Sequence, residues 1–105
     1  MATQQDAINM AKQFAAQLLL SGLHIKRAVL YGSFSTNKQH AYSDIDLALV
    51  ADEFVSVTPA DIPKFSKILG KYYLIQPRTY NTNDFTVAKD PFVEEILKTG
   101  IEIHF

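Results

Sequence analysis

Residues 30–50 read LYGSFSTNKQHAYSDIDLALV, and this stretch decides the fold. Gly32-Ser33 closes an apolar run abruptly, and ten residues later Asp44-Ile45-Asp46 opens another. Residues two apart on a strand point the same way, so Asp44 and Asp46 share one face with Ala48 and Val50, while Ile45, Leu47 and Leu49 take the other. Two carboxylates about 7 Å apart on a half-buried strand repel each other unless a cation lies between them. Asp-x-Asp in this setting suits Mg²⁺, which accepts one or two carboxylates and completes its shell with phosphate oxygens and water. At the corner, a glycine lets phosphate oxygens approach the backbone, and Ser33 offers both its hydroxyl and its amide.

Outward from this stretch, the periodicity predicts the remaining elements. Ala7, Ile8, Ala11, Phe14, Ala15, Leu18 and Leu19 recur at helical spacing, which predicts a helix over 3–20 capped by Thr3 and released at Ser21-Gly22. Ile25 to Tyr31 reads as a strand with a central, continuously apolar run. Phe34 to Tyr42 is polar and should begin with a short helical turn, and Ser43 to Val50 is the second strand. Thr58-Pro59 starts a helix with Ile62, Phe65 and Leu69 on its buried stripe, ended by Gly70. Tyr72 to Tyr80 is a third strand in which Pro77 marks either an edge position or a strand end. Asp90-Pro91 caps a helix carrying Val93, Ile96 and Leu97, and Ile101 to Phe105 alternates as a last strand. The short link between the first two strands rules out a doubly wound parallel sheet, so an α+β fold follows: a mixed sheet of about four strands with three main helices against it.

Composition bounds the function. The length of 105 residues predicts a single domain over 1–105. Hydrophobic residues at 48% and charged residues at 20% are those of a soluble globular chain, and a cytoplasmic location is expected. A net charge of -1 supplies no field for non-specific nucleic-acid binding. Without cysteine there is neither a disulfide framework nor a thiolate metal site. The first 21 residues fit neither a signal peptide nor a membrane span.

Leu30-Tyr31-Gly32-Ser33 followed by Ser43-Asp44-Ile45-Asp46-Leu47 resembles the G-S, ten residues, D-x-D signature of minimal nucleotidyltransferases in the DNA polymerase beta superfamily. The resemblance implies the nucleotidyltransferase fold, one or two Mg²⁺ ions at Asp44 and Asp46 as catalytic and metal-binding residues, and nucleotide phosphate contact at Gly32 and Ser33. It implies ATP as substrate and AMP transfer to a hydroxyl, chiefly a tyrosine, of a HEPN-type partner in a toxin-antitoxin pair. The chain departs from the family pattern in three places. Phe34 stands where Arg is common, Asn37 where Gly is common, and Gln76 where a third acid is usual. An amide oxygen at Gln76 can ligate a cation weakly but cannot act as a base. The competing expectation is therefore a binding module of the same fold that neutralises its partner by contact.

Other polar residues draw plainer readings. Asp84 is expected in a loop and Asp90 at a helix cap. His24, His40 and His104 lack metal-ligand spacing, and Lys38 is a solvated loop residue. Arg78 lies two residues from Gln76, should face the same way, and could stand in for the arginine missing at Phe34. Larger nucleotidyltransferases hold the acceptor with a second domain. Here the acceptor is expected on another chain, either a toxin-like protein or a second copy.

Overall fold

A computed structural model describes residues 2–105. Helix α1 (Gln4–Leu20) begins at a capping box: the Thr3 hydroxyl accepts from the Asp6 amide, and the Asp6 carboxylate accepts from the Thr3 amide. Its stripe of Ala7, Ala11, Phe14, Ala15 and Leu18 is buried. Gly22 reverses the chain at φ +106°, a conformation that a side chain would oppose. Strand β1 (Ile25–Tyr31) follows, then β2 (Ile45–Ala51), β3 (Ile75–Asn81), helix α3 (Phe92–Thr99) and the two-residue β4 (Ile101–Glu102). Between β2 and β3 lie a 3-10 helix (Pro59–Lys64) and the short helix α2 (Ser66–Leu69).

The sheet order is β3-β2-β1-β4, with β1 antiparallel to both β2 and β4, and β2 parallel to β3. This is the mixed α+β sheet expected from the short β1–β2 link. Pro77 falls on β3, the edge strand, where its missing N–H deprives no outer neighbour. Side chains alternate across the sheet as the strand period demands. Ile45, Leu47 and Leu49 pack with α1 and with Phe54 and Phe65 of the β2–β3 connection. Ala48 and Val50 pack on the opposite face with Val93 and Ile96 of α3.

Several boundaries differ from the sequence reading. Pro63, lacking an N–H, breaks the expected helix over 59–69 into a 3-10 turn and a single α turn, with Phe65 at φ -133° between them. The break rotates Ile62 outward, where it is 49% exposed, so only Phe65 and Leu69 of the expected stripe pack on the core. Leu97 of α3 is likewise exposed, because the helix meets the sheet through Phe92, Val93 and Ile96. Ser43 and Asp44 precede β2 rather than belonging to it, and Tyr72 to Leu74 precede β3. The last strand ends at Glu102, although Ile103 still donates its amide to the Ala28 carbonyl at 2.8 Å. The segment after Ser33 forms consecutive turns and no helix. No described helix is long and apolar enough to cross a membrane.

Candidate active site

Pairing brings the site together from three strands. Tyr31 of β1 lies opposite Asp46 of β2, and Asp46 lies beside Gln76 of β3. Strand partners project to the same face, so these three side chains form a row across the sheet on the α3 side. One step along, Val29, Ala48 and Arg78 form the next row, which puts Arg78 on the same face as Gln76.

Gly32 ends β1 at φ +76°, a conformation that favours glycine. A Cβ at Gly32 would also collide with Asp46 Oδ2, so the glycine is the floor on which the carboxylate rests. After it the chain coils tightly. Ser35 Oγ donates to the Gly32 carbonyl at 2.9 Å, Lys38 donates its amide to the Ser33 carbonyl at 2.8 Å, and Gln4 of α1 clamps the Phe34 carbonyl at 2.9 Å. Asn37 takes φ +57°, the left-handed geometry that asparagine tolerates next best after glycine. Phe34 is 1% exposed and belongs to the core beneath this coil. Among the described residues, the amides of Ser33, Phe34 and Ser35 donate to no protein acceptor. Successive N–H groups left free at a corner are donors of the kind an anion can use.

Asp44 is exposed just before β2, delivered by a turn in which the His40 amide donates to Ser43 Oγ at 2.9 Å. Asp46 is half-buried. Burial, and then the Asp44 charge, push its carboxyl above the usual range. Tyr31 is pushed up to about 12, by burial and then by Asp46, so its hydroxyl stays protonated. A half-buried carboxylate with a second carboxylate beside it is a place where a cation would relieve both burial and repulsion. Asp44 and Asp46 could hold Mg²⁺, a hard cation that takes one or two carboxylates. Gln76 is exposed beside Asp46 and adds no charge. Among the described residues, no three His, Cys, Asp or Glu side chains cluster as a complete metal site.

Two cavities meet at Asp46 and Tyr31. One, of about 440 Å³, is lined by Gly32, Thr36 and Lys38 together with Phe92, Glu95 and Thr99 of α3. The other, of about 330 Å³, lies over β3 and is walled by Val57, Pro59, Ile62, Phe65 and Pro77, with Gln76 and Arg78 at its edge. Arg78 does not reach the phosphate corner as a free cation. Its guanidinium stacks on Phe92 at 4.8 Å, donates to the Tyr80 hydroxyl at 2.7 Å and pairs with Asp90 at 3.1 Å. Asp90 also accepts from the Phe92 amide at 3.0 Å, the capping role expected of it, and its carboxyl is held low by Tyr80.

The family whose sequence profile matches residues 13–104 is described as polymerase beta, nucleotidyltransferase. The chain belongs to this family. A candidate nucleotidyltransferase from Sulfolobus solfataricus has a similar fold, with a TM-score of 0.66, 14% identity, and coverage of 94% of this chain and 80% of that one. A toxin-antitoxin structure with AMP-PNP matches at a TM-score of 0.59 and 17% identity, over 87% of this chain and 70% of that chain. A toxin-antitoxin MntA-HpeT mutant, carrying two Asp-to-Glu changes two positions apart, matches at a TM-score of 0.54 and 16% identity with the same coverages. No curated protein sequence matches the chain. At these identities the structures speak for the shared polymerase beta nucleotidyltransferase fold alone.

Within that family fold, residue patterns missed two features of the site. Tyr31 looked like the last residue of an apolar strand, yet it borders both cavities. Val57 lies in an irregular connection, where no periodicity marks a residue as a wall. Asp84 is a loop residue as expected, paired with Lys89, and His24 pairs with Glu53 at the surface.

Proposed function

We propose that the chain is a Mg²⁺-dependent nucleotidyltransferase that moves AMP from ATP to a hydroxyl, chiefly a tyrosine, of a partner protein. The observation that carries this reading is the position of Asp46. It rests on Gly32 at the junction of two cavities, one lined by Gly32, Thr36 and Lys38 and the other by an apolar wall. Family membership supplies the reaction class. The free amides of Ser33, Phe34 and Ser35 would hold the terminal phosphates, with Lys38 and Thr36 beside them. Asp44 and Asp46 would hold the magnesium, which when bound neutralises phosphate charge and polarises the phosphorus under attack. Tyr31, protonated, borders both cavities and can donate a hydrogen bond into either.

The partner reading draws on the toxin-antitoxin neighbours, one of them solved with AMP-PNP. In this reading the chain is the antitoxin half of a pair whose other half is a HEPN-type toxin, and both act in the cytoplasm. Incubating the protein with Mg²⁺, α-labelled ATP and the product of the adjacent gene tests it. Label is expected on a partner tyrosine. Well-folded proteins that both stay unlabelled would overturn it.

A second reading has its own observation: Gln76 occupies the strand position beside Asp46, and no third acid joins the pair among the described residues. The protein would then neutralise its partner by contact. Under that reading Asp44→Asn combined with Asp46→Asn leaves neutralisation intact, whereas the transferase reading requires its loss.

A further inference from the structure

The wall of the smaller cavity is built by a strained segment. Ser56 takes φ +92° and Val57 φ +42°, a left-handed conformation that a β-branched residue adopts only under compulsion. The compulsion is visible. Asp61 has no exposed surface, and its carboxylate accepts from the Val55 amide at 2.8 Å and the Ser56 amide at 3.1 Å. Thr79 Oγ and Lys64 Nζ hold that carboxylate in turn, at 2.7 and 2.8 Å. The Val57 amide donates to the Thr79 carbonyl at 2.8 Å, and Ser56 Oγ accepts from the Asn81 amide at 2.7 Å and donates to Asp84 at 2.8 Å.

All this holds a valine 49% exposed over the cavity, facing an equally exposed Ile62. Strain of this kind persists where the surroundings over-determine it. A solvent-exposed apolar side chain kept under strain has work to do in the cavity.

The two cavities divide that work. Gly32, Thr36 and Lys38 line only the larger of the two, which gives it the phosphate-compatible corner and an ammonium unpaired among the described residues, so the leaving pyrophosphate belongs there. In phosphoryl transfer the attacking and leaving oxygens lie roughly in line, so the attacker comes from the other side of Asp46. That side is the cavity walled by Val57. Its volume of about 330 Å³ is at the small end for ligand pockets, and its wall is aliphatic and aromatic.

We propose that Val57, held by the Asp61-anchored segment, is a specificity-determining residue of an acceptor subsite that takes a hydroxyl-bearing aromatic ring. The inference rests on the transferase reading and adds to it the place where the acceptor binds. The acceptor oxygen forms a bond to the α-phosphorus, and the bond from that phosphorus to pyrophosphate breaks. Pyrophosphate leaves with the electron pair, and the hydroxyl proton passes to water, because Gln76 and Arg78 cannot accept it.

The test uses N-acetyl-tyrosinamide and Mg²⁺·AMP-PNP as separate probes, with binding followed by amide chemical-shift titration. Val57→Gly removes the wall and relieves the positive φ, so the variant folds. It is expected to weaken N-acetyl-tyrosinamide binding by roughly tenfold, the loss of one apolar contact surface. It should leave Mg²⁺·AMP-PNP binding unchanged. Val55→Ser, in the same segment but outside both cavities, should change neither. Unaltered tyrosinamide binding in Val57→Gly overturns the proposal, as does its absence from the wild type, or a loss confined to AMP-PNP. If the wild type fails to bind Mg²⁺·AMP-PNP, the transferase reading falls, while the tyrosinamide titration still decides the ring subsite.

Discussion

Gly32 and Asp46 are fourteen positions apart in the chain and in van der Waals contact in the fold, and each explains the other. The glycine has positive φ and no Cβ, and the carboxylate occupies the space that a Cβ would need. Gly32→Ala therefore combines backbone strain with a collision against the residue on which the site depends. We expect a stability loss of about 1–3 kcal/mol and a fall in AMP transfer of at least tenfold at saturating ATP. Thermal unfolding and single-turnover kinetics measure the two separately. A variant that keeps full transfer would show that Asp46 does not need its glycine floor.

At the scale of elements, the β2–β3 connection is the part of the molecule least like a regular structure and the most tightly tied. Asp61 gathers two amides, a hydroxyl and an ammonium from four different residues. Burial works against its charge, but the hydrogen bonds, that of Lys64 foremost, hold its carboxyl below the usual range. An acid whose folded pKa is depressed contributes stability above its unfolded pKa, and that stability is lost as pH falls through the folded value. Wild-type stability should thus decline on acidification below about pH 4. Asp61→Asn, which cannot accept from every donor, should cost about 2–4 kcal/mol at neutral pH and flatten the acid decline. Urea unfolding at pH 3, 5 and 7 checks both. Equal slopes in wild type and variant would remove Asp61 from this role.

For the whole molecule, the like-charged pair at Asp44 and Asp46 makes metal-free folding less favourable than it could be. Asp46 has its carboxyl raised by burial and then by Asp44, so its ionisation opposes folding increasingly as pH climbs past the unfolded carboxylate pKa. A cation that binds only the folded chain reverses this. At ten times its Kd it stabilises by about 1.4 kcal/mol, several degrees of Tm for a chain of this size. Mg²⁺ should raise the wild-type Tm. The double Asp44→Asn, Asp46→Asn variant should start higher without metal and gain nothing from it. Differential scanning calorimetry with EDTA or Mg²⁺ decides this, and an equal rise in both proteins would move the metal elsewhere.

Much of the architecture was written in one dimension. The Gly-Ser corner, ten residues and Asp-x-Asp, set between two apolar runs, specified two strands joined by a short link in a mixed sheet, with both carboxylates read onto the second strand, although Asp44 falls just before it. The same period sorted Ile45, Leu47 and Leu49 from Ala48 and Val50, and Pro77 announced an edge or a strand end. What only the tertiary structure decided depends on residues far apart in the chain. Pro63 could be read, but the outward turn of Ile62 and the exposure of Leu97 follow from how each segment meets the sheet. Arg78 faces the way its spacing predicted, yet Asp90, Tyr80 and Phe92 claim its guanidinium, which no local pattern could show. The wall at Val57 and its anchor Asp61 were illegible for the same reason: an irregular segment has no period, and its conformation is imposed by partners that arrive only when the sheet closes.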